Sequence, residues 1–167
     1  APVLVLTPAE LEQTGSLVLT AIDDLRPIRD FWASFRVFMR GAECGMSGVS
    51  GHCGAEGVSF VFGPVPSTPF GELGVGPGLR VSLVTAVKQR VEVRWKEVLL
   101  ASVPTDLHVA GGWADVEVAH SSGGLRVLYD GELRVGNLTL PSFAPQPDWK
   151  FSFGSRTTAA VDGQIGL

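Results

Sequence analysis

Apolar residues along this chain come in short runs broken by polar residues, glycine or proline, and no stretch carries the spacing of an amphipathic helix. Alternation is cleanest in Val91-Glu92-Val93-Arg94-Trp95 and Val116-Glu117-Val118, the pattern of strands with one face in water. Residues 31–38 place Phe31, Ala33, Phe35 and Val37 on one face and Trp32, Ser34, Arg36 and Phe38 on the other. That predicts a strand with an aromatic core side and a second face that is not fully polar. Residues 58–62 are interrupted only by Ser59 and predict a strand buried on both sides. Further strands are expected at 4–7, 16–22, 79–85, 98–102, 114–120, 125–129, 132–135 and 150–153, and residues 8–12 suit a single helical turn that nothing continues.

The breaks between these runs have their own chemistry. Glycine numbers 21 and proline 11, scattered between the apolar runs as in all-β proteins. Residues 64–78 hold four glycines and four prolines and predict a long surface loop, while Tyr129-Asp130-Gly131-Glu132 carries the signal of a tight hairpin. Ten or more short strands without an amphipathic helix predict an all-β, antiparallel two-sheet β-sandwich of jelly-roll type. A length of 167 residues, with 45% hydrophobic and 18% charged residues, suits one domain spanning 1–167. An immunoglobulin-like sandwich is disfavoured because Cys44 and Cys53 lie too close in sequence for its inter-sheet bridge.

Charge narrows the partners. The net charge is −4, the pI is near 5.3 and basic residues nowhere cluster, so nucleic acid is not an expected partner. No apolar run approaches the ~18–20 residues of a membrane helix, so this segment is not expected to insert in a bilayer. Cys44 and Cys53 enclose a flexible loop and are expected to form a disulfide contributing about 2–3 kcal/mol. The alternatives are two buried free thiols, or a zinc site that would need two more ligands, with only His52 adjacent. A disulfide and the sequon Asn137-Leu138-Thr139 together imply an extracellular or secretory setting. The chain begins at Ala1 without methionine and stops at Leu167 in strand-like sequence, as expected of a segment of a larger extracellular protein.

Two blocks carry a resemblance across nearly the whole chain. Gly54-Ala55-Glu56-Gly57 runs into 58–63, and much later Leu140-Pro141-Ser142-Phe143-Ala144-Pro145 precedes Trp149-Lys150-Phe151-Ser152-Phe153-Gly154-Ser155-Arg156-Thr157. With Leu6-Thr7-Pro8, Gln13-Thr14-Gly15-Ser16 and Phe70-Gly71-Glu72-Leu73-Gly74 between and before them, their order resembles the concanavalin A-like lectin/glucanase superfamily in its legume, or L-type, lectin form. The resemblance implies a concanavalin A-like jelly roll and a carbohydrate site. In such a site Glu56 stands in the Ala-Asp-Gly turn whose aspartate accepts from sugar hydroxyls. Gly71 opens the glycine loop that donates a backbone N–H, and Thr158 and Ala159 lie on the closing loop. Trp113 is a candidate stacking platform.

Two departures change what the resemblance implies. Glu56 is one methylene longer than the aspartate of the family turn. Where the family has Phe-Asp-Thr, this chain has Leu83-Val84-Thr85, and a valine side chain cannot replace a carboxylate that ligates calcium or manganese. Ala86-Val87-Lys88-Gln89-Arg90 then adds two cations and no acid, so no metal and no other cofactor is expected. Among the tryptophans, Trp113 after Gly111-Gly112 is the one expected at the surface, and Trp149 is read as structural. His52, His108 and His120 have no metal-ligand spacing, although Asp106 and His108 can share a strand face. Asp115 and Glu117 recur as a pair of acids, but the three-acid strand of the sandwich glucanases is missing, so no enzyme is expected. The expected function is a non-catalytic recognition or assembly module facing a glycan or neighbouring protein domains. Metal-independent carbohydrate binding is the alternative, and glycoside hydrolysis by Asp115 and Glu117 a third reading.

Overall fold

A computed structural model describes residues 3–10, 12–20, 22, 24, 26–40, 55–64, 68–85, 88–108, 110–157 and 163–166. The alternating runs become strands β1 (Val5–Glu10), β2 (Thr14–Val18), β3 (Phe31–Arg40), β4 (Ala55–Gly63), β5 (Leu79–Val84) and β6 (Arg90–Trp95). They continue as β7 (Val98–Pro104), β8 (Ala110–Ser121), β9 (Gly124–Tyr129), β10 (Glu132–Leu138), β11 (Lys150–Thr157) and β12 (Gly163–Gly166). Among the described residues there is no helix, so none is long and apolar enough to cross a membrane. Residues 8–10 belong to β1, not to a helical turn: Thr7 and Glu10 on either side of an irregularity pair with Ile165 and Gly163 of β12, and Glu12 then turns the chain with φ 53°. The second strand stops at Val18, short of the expected residue 22.

Two six-stranded antiparallel sheets stack face to face. One has the order β1-β12-β3-β8-β9-β10 and the other β2-β11-β4-β5-β6-β7. Their facing side chains make the core, with Val37, Met39, Val116, Val118 and Val127 from the first sheet against Val58, Phe60, Phe62, Val81, Leu83 and Val93 from the second. Aromatic rings fill one part of the interface. Phe62 stacks on Phe151 at 4.5 Å, and Phe35 meets Phe153 edge-on at 4.9 Å. Trp149 packs on Phe62 and Trp95, as its structural reading requires, while the buried Trp95 donates its ring N–H to the Pro141 carbonyl at 2.8 Å. At the β9–β10 hairpin, Asp130 (φ 49°) and Gly131 (φ 74°) both occupy the left-handed region that such a two-residue turn demands.

The second sheet is buried on its outer face too, which sequence alternation alone does not explain. Ser59, Val61, Arg80, Ser82, Val84 and Ser152 point away from the core, yet all are buried. The expected surface loop is the reason. Residues 68–78 fold back over β4, β5 and β11, so that Phe70 and Glu72 are buried as well. Ser59 Oγ donates to the Gly71 carbonyl at 2.8 Å, and Arg80 donates to the Leu73 carbonyl at 3.4 Å. A Cβ on Gly154 would lie 2.3 Å from the Phe70 ring, so the glycine at this point of β11 is what lets the loop sit down.

Candidate recognition site

Where the loop meets the ends of β4 and β11, Arg156 lies between two carboxylates. Its Nε contacts Glu56 Oε2, and its Nη2 donates to Glu72 Oε1 at 3.1 Å. Each partner comes from a different element: Glu56 from β4, Glu72 from the loop and Arg156 from β11. Pairing in the sheet sets this up, because Arg156 stands opposite Gly57 on one side and Thr14 on the other. Glu72 is buried, whereas the Arg156 side chain is 48% exposed. Burial pushes the Glu72 carboxyl above the usual glutamate range, and Arg156 offsets only part of that. Burial also works against the charge on Arg156, but Glu72 and Glu56 outweigh it and hold the guanidinium more firmly protonated.

The arrangement predicts a pH signature. A carboxyl raised in the folded state holds its proton where the unfolded chain has lost it. Its contribution is therefore complete below the ordinary glutamate pKa and is lost as pH rises through the higher folded value. Measured by urea unfolding across that window, wild-type stability relative to Glu72→Gln is expected to fall as pH increases. A difference that grows with pH would show that Arg156, not burial, governs this group.

Beside the clasp is a cleft of about 290 Å³ lined by Thr14, Pro69, Gly71, Glu72, Leu73, Gly74 and Arg156. Glu56 and Gly71 therefore come together as the sequence implies, both against Arg156: a Cβ on Gly71 would stand 3.0 Å from that of Arg156. Thr158 and Ala159 lie outside the described residues, as do Cys44, His52 and Cys53. Trp113 does not join them. It sits on β8 in the other sheet, opposite Phe38, with Arg36 over its ring at 5.4 Å. Trp32 is the more exposed tryptophan, at 69% against 38% for Trp113, and donates its ring N–H to Glu117 at 3.0 Å. Asn137 is exposed on β10, also in the first sheet.

The surroundings of Val84 do not suit a hard cation. Val84 is buried opposite Gly57 on one side and Arg90 on the other. Gln89 spends its side-chain oxygen on the Leu107 N–H at 2.6 Å, and Arg90 pairs with the buried Glu92 at 2.7 Å. A calcium ion needs six to eight oxygen ligands, several of them anionic, and this neighbourhood supplies an isopropyl group and a guanidinium. Among the described residues no three His, Cys, Asp or Glu side chains are grouped to hold a metal.

Asp115, Glu117 and His108 have partners of their own. Asp115 pairs with Arg36 at 3.1 Å, and Glu117 receives the Trp32 N–H. His108 turns from Asp106 to Asp130, with Nε2 and Oδ2 2.5 Å apart. Arg156 and Glu72 are the site residues that sequence reading passes over. Their signal was available: Glu72 is the only charged residue in the loop over 64–78, and Arg156 the only charge in residues 151–157.

No protein-family model and no curated protein matches the sequence. Solved structures do match. The metal-free exoplasmic/lumenal domain of VIP36 aligns with a TM-score of 0.70 and 16% identity, covering 98% of this chain and 76% of that one. The same VIP36 domain with Ca²⁺ and Man3GlcNAc bound gives 0.69 and 18%, over 98% and 74%. The metal-free Emp46p carbohydrate recognition domain gives 0.65 and 15%, over 98% and 78%. At such identities the likeness concerns architecture, and it extends over nearly all of this chain. The chain folds as a legume-lectin-like sandwich of the concanavalin A type.

Proposed function

We propose that this chain is a non-catalytic, lectin-like recognition module whose binding cleft is organised by an ion-pair clasp instead of a cation. The observation that carries the reading is Arg156 bridging Glu56 on β4 to Glu72 on the loop. In a metal-dependent sugar site a cation holds the loops in place; here a guanidinium joins strand to loop. The ligand that best matches the cleft is a carbohydrate. The half-exposed Arg156, held by Glu56, offers N–H donors to the cleft, Thr14 a hydroxyl, and the exposed Leu73 an apolar contact for sugar C–H groups. The structural neighbours support this choice, since the Emp46p domain is a carbohydrate recognition domain and VIP36 has been solved with mannose oligosaccharides.

Localisation follows the same reading. VIP36 is represented by an exoplasmic/lumenal domain, and the sequon at the exposed Asn137, together with a Cys44–Cys53 disulfide, suits the secretory pathway or cell surface. We expect a glycan array to retain the protein equally with and without a chelator, and Glu56→Ala to lower the retained signal at least about tenfold, one lost charge-assisted hydrogen bond. Loss of binding on chelation would overturn the cation-independent clasp. Absence of any retained glycan would remove carbohydrate as the ligand.

A second reading, assembly with neighbouring protein domains, is favoured by one observation: the outer face of the first sheet exposes Trp32, Trp113 and Leu133. A partner seated there would be lost in Trp32→Ala with the cleft untouched. Cross-linking that is insensitive to this change would set the second reading aside.

A further inference from the structure

At the end of the sandwich remote from the clasp, a second cavity of about 430 Å³ is walled by three segments that the cleft does not use. They are residues 29–30 before β3, the β8–β9 hairpin and the loop over 139–143. The cavity is built on the side of β3 that pairs with β8, where Phe31 stands opposite His120. Phe31 packs on Phe62, six residues along β4 from Glu56, so about 20 Å of strand separates this cavity from the clasp.

Its floor is fixed before any ligand arrives. His120 Nδ1 lies 2.8 Å from the Arg29 carbonyl, and because a carbonyl oxygen only accepts, Nδ1 carries the hydrogen. In the neutral ring Nε2 keeps its lone pair, and it meets no partner among the described residues. The imidazole packs with two rings, Phe31 at 6.1 Å and Phe143 at 4.1 Å, and Phe143 is itself anchored on Phe62 and Trp95. Gly124 fixes the wall: a Cβ there would lie 2.9 Å from the Asn137 carbonyl carbon, so the hairpin meets β10 backbone to backbone.

Floor and rim differ in chemistry. Leu140, Phe143 and the His120 ring give an apolar base, whereas the exposed Arg29, Asp30, Ser122 and Thr139 set donors and acceptors around the mouth. An anion would use only the rim, where Asp30 beside Arg29 opposes it, and a hydrocarbon would strand the polar groups. A pyranose satisfies both: its C–H face lies on an aromatic ring while its vicinal hydroxyls meet groups that donate and accept. We propose that this cavity is a second carbohydrate site, taking one pyranose unit, with His120 Nε2 accepting from a sugar hydroxyl and Phe143 against the C–H face. The unit comes from either of two sources, a free glycan or the sugar carried at Asn137, whose sequon ends on Thr139 in the cavity wall.

The test follows the NMR signals of the His120 ring and of the amides in 121–124 and 139–143 in the intact, unglycosylated chain as methyl α-mannoside or methyl β-glucoside is added to high millimolar concentration. Saturable shifts at these residues are expected, with the hydrogen on Nδ1 in the free protein. His120→Phe, which keeps a packed ring but has no Nε2, should weaken binding about fivefold, the loss of one hydrogen bond. Neither glycerol, which has hydroxyls but no ring face, nor inorganic sulfate should give saturable shifts. Protein glycosylated at Asn137 then separates the sources: bound-state shifts without added sugar, lost in Asn137→Gln, assign the unit to the attached glycan, and shifts that still need added glycoside assign it to a free one. Equal shifts with sulfate or glycerol overturn the proposal, as does unchanged affinity in His120→Phe, or the absence of any shift in both the titrated and the glycosylated protein. Glu56→Ala should leave these signals unaltered, so a failure here and a failure at the Arg156 cleft are read separately.

Discussion

Arg156→Ala is expected to destabilise the fold by about 2–3 kcal/mol and to free the loop over residues 68–78. Removing one partner of a buried ion pair costs about 3–5 kcal/mol because the other charge is left uncompensated. Arg156 is half exposed, so solvent screens part of its interaction and the lower figure applies. What remains is Glu72, buried and already pushed toward protonation, with Glu56 adding to the repulsion. Two rescues follow. Acidification should restore stability to Arg156→Ala more than to wild type, because protonating Glu72 removes the stranded charge. Arg156→Ala combined with Glu72→Gln should recover part of the loss at neutral pH. Chemical denaturation of the four proteins at two pH values checks both, and additive single-variant losses would show that Arg156 and Glu72 do not act as a pair.

Gly57→Ala is expected to be more damaging still, at about 3 kcal/mol or more, with little folded protein recovered. Gly57 has φ +136°, a conformation that costs any residue with a side chain about 1–3 kcal/mol. A Cβ there would also lie 1.9 Å from the Leu83 carbonyl oxygen on β5, so the two strands must part. Forcing atoms into a packed interior costs a further ~1–3 kcal/mol. The damage falls between Glu56 and Val84, where the Thr85 N–H donates to the Glu56 carbonyl at 2.9 Å. Hydrogen exchange at Thr85 should rise first. Wild-type exchange there in a folded Gly57→Ala protein would contradict the argument.

Much of the sandwich was legible because strand chemistry is local. The period of two in 91–95 and the glycine signal at Asp130-Gly131 predict what is observed. β12 was legible only as strand-like sequence before Leu167. Gly163-Gln164-Ile165-Gly166 has two glycines and no periodicity, and its bounds and its place between β1 and β3 are tertiary facts. Residues 8–10 fail for the same reason: a segment that suits a helical turn in isolation is captured by a sheet edge. Alternation put Trp32 on the correct face of β3, but whether anything covers that face is a tertiary fact: Trp113 is exposed as expected, and Trp32 is more exposed still. The clasp joins residues 84 positions apart, so the pairing of these charges appears only when one sheet and the loop folded over it bring them together.

That the cleft draws Thr14, Glu72 and Arg156 from three remote stretches of chain has a practical consequence. No short peptide excised from the sequence can reproduce it, and the unfolded chain has no affinity to offer. Any ligand held there must therefore stabilise the fold by an amount that grows with the logarithm of its concentration above Kd, about 2.7 kcal/mol at a hundredfold excess, and so raise the melting temperature. Thermal-shift screening across a panel of sugars thus tests the proposed carbohydrate ligand by its stabilising effect alone.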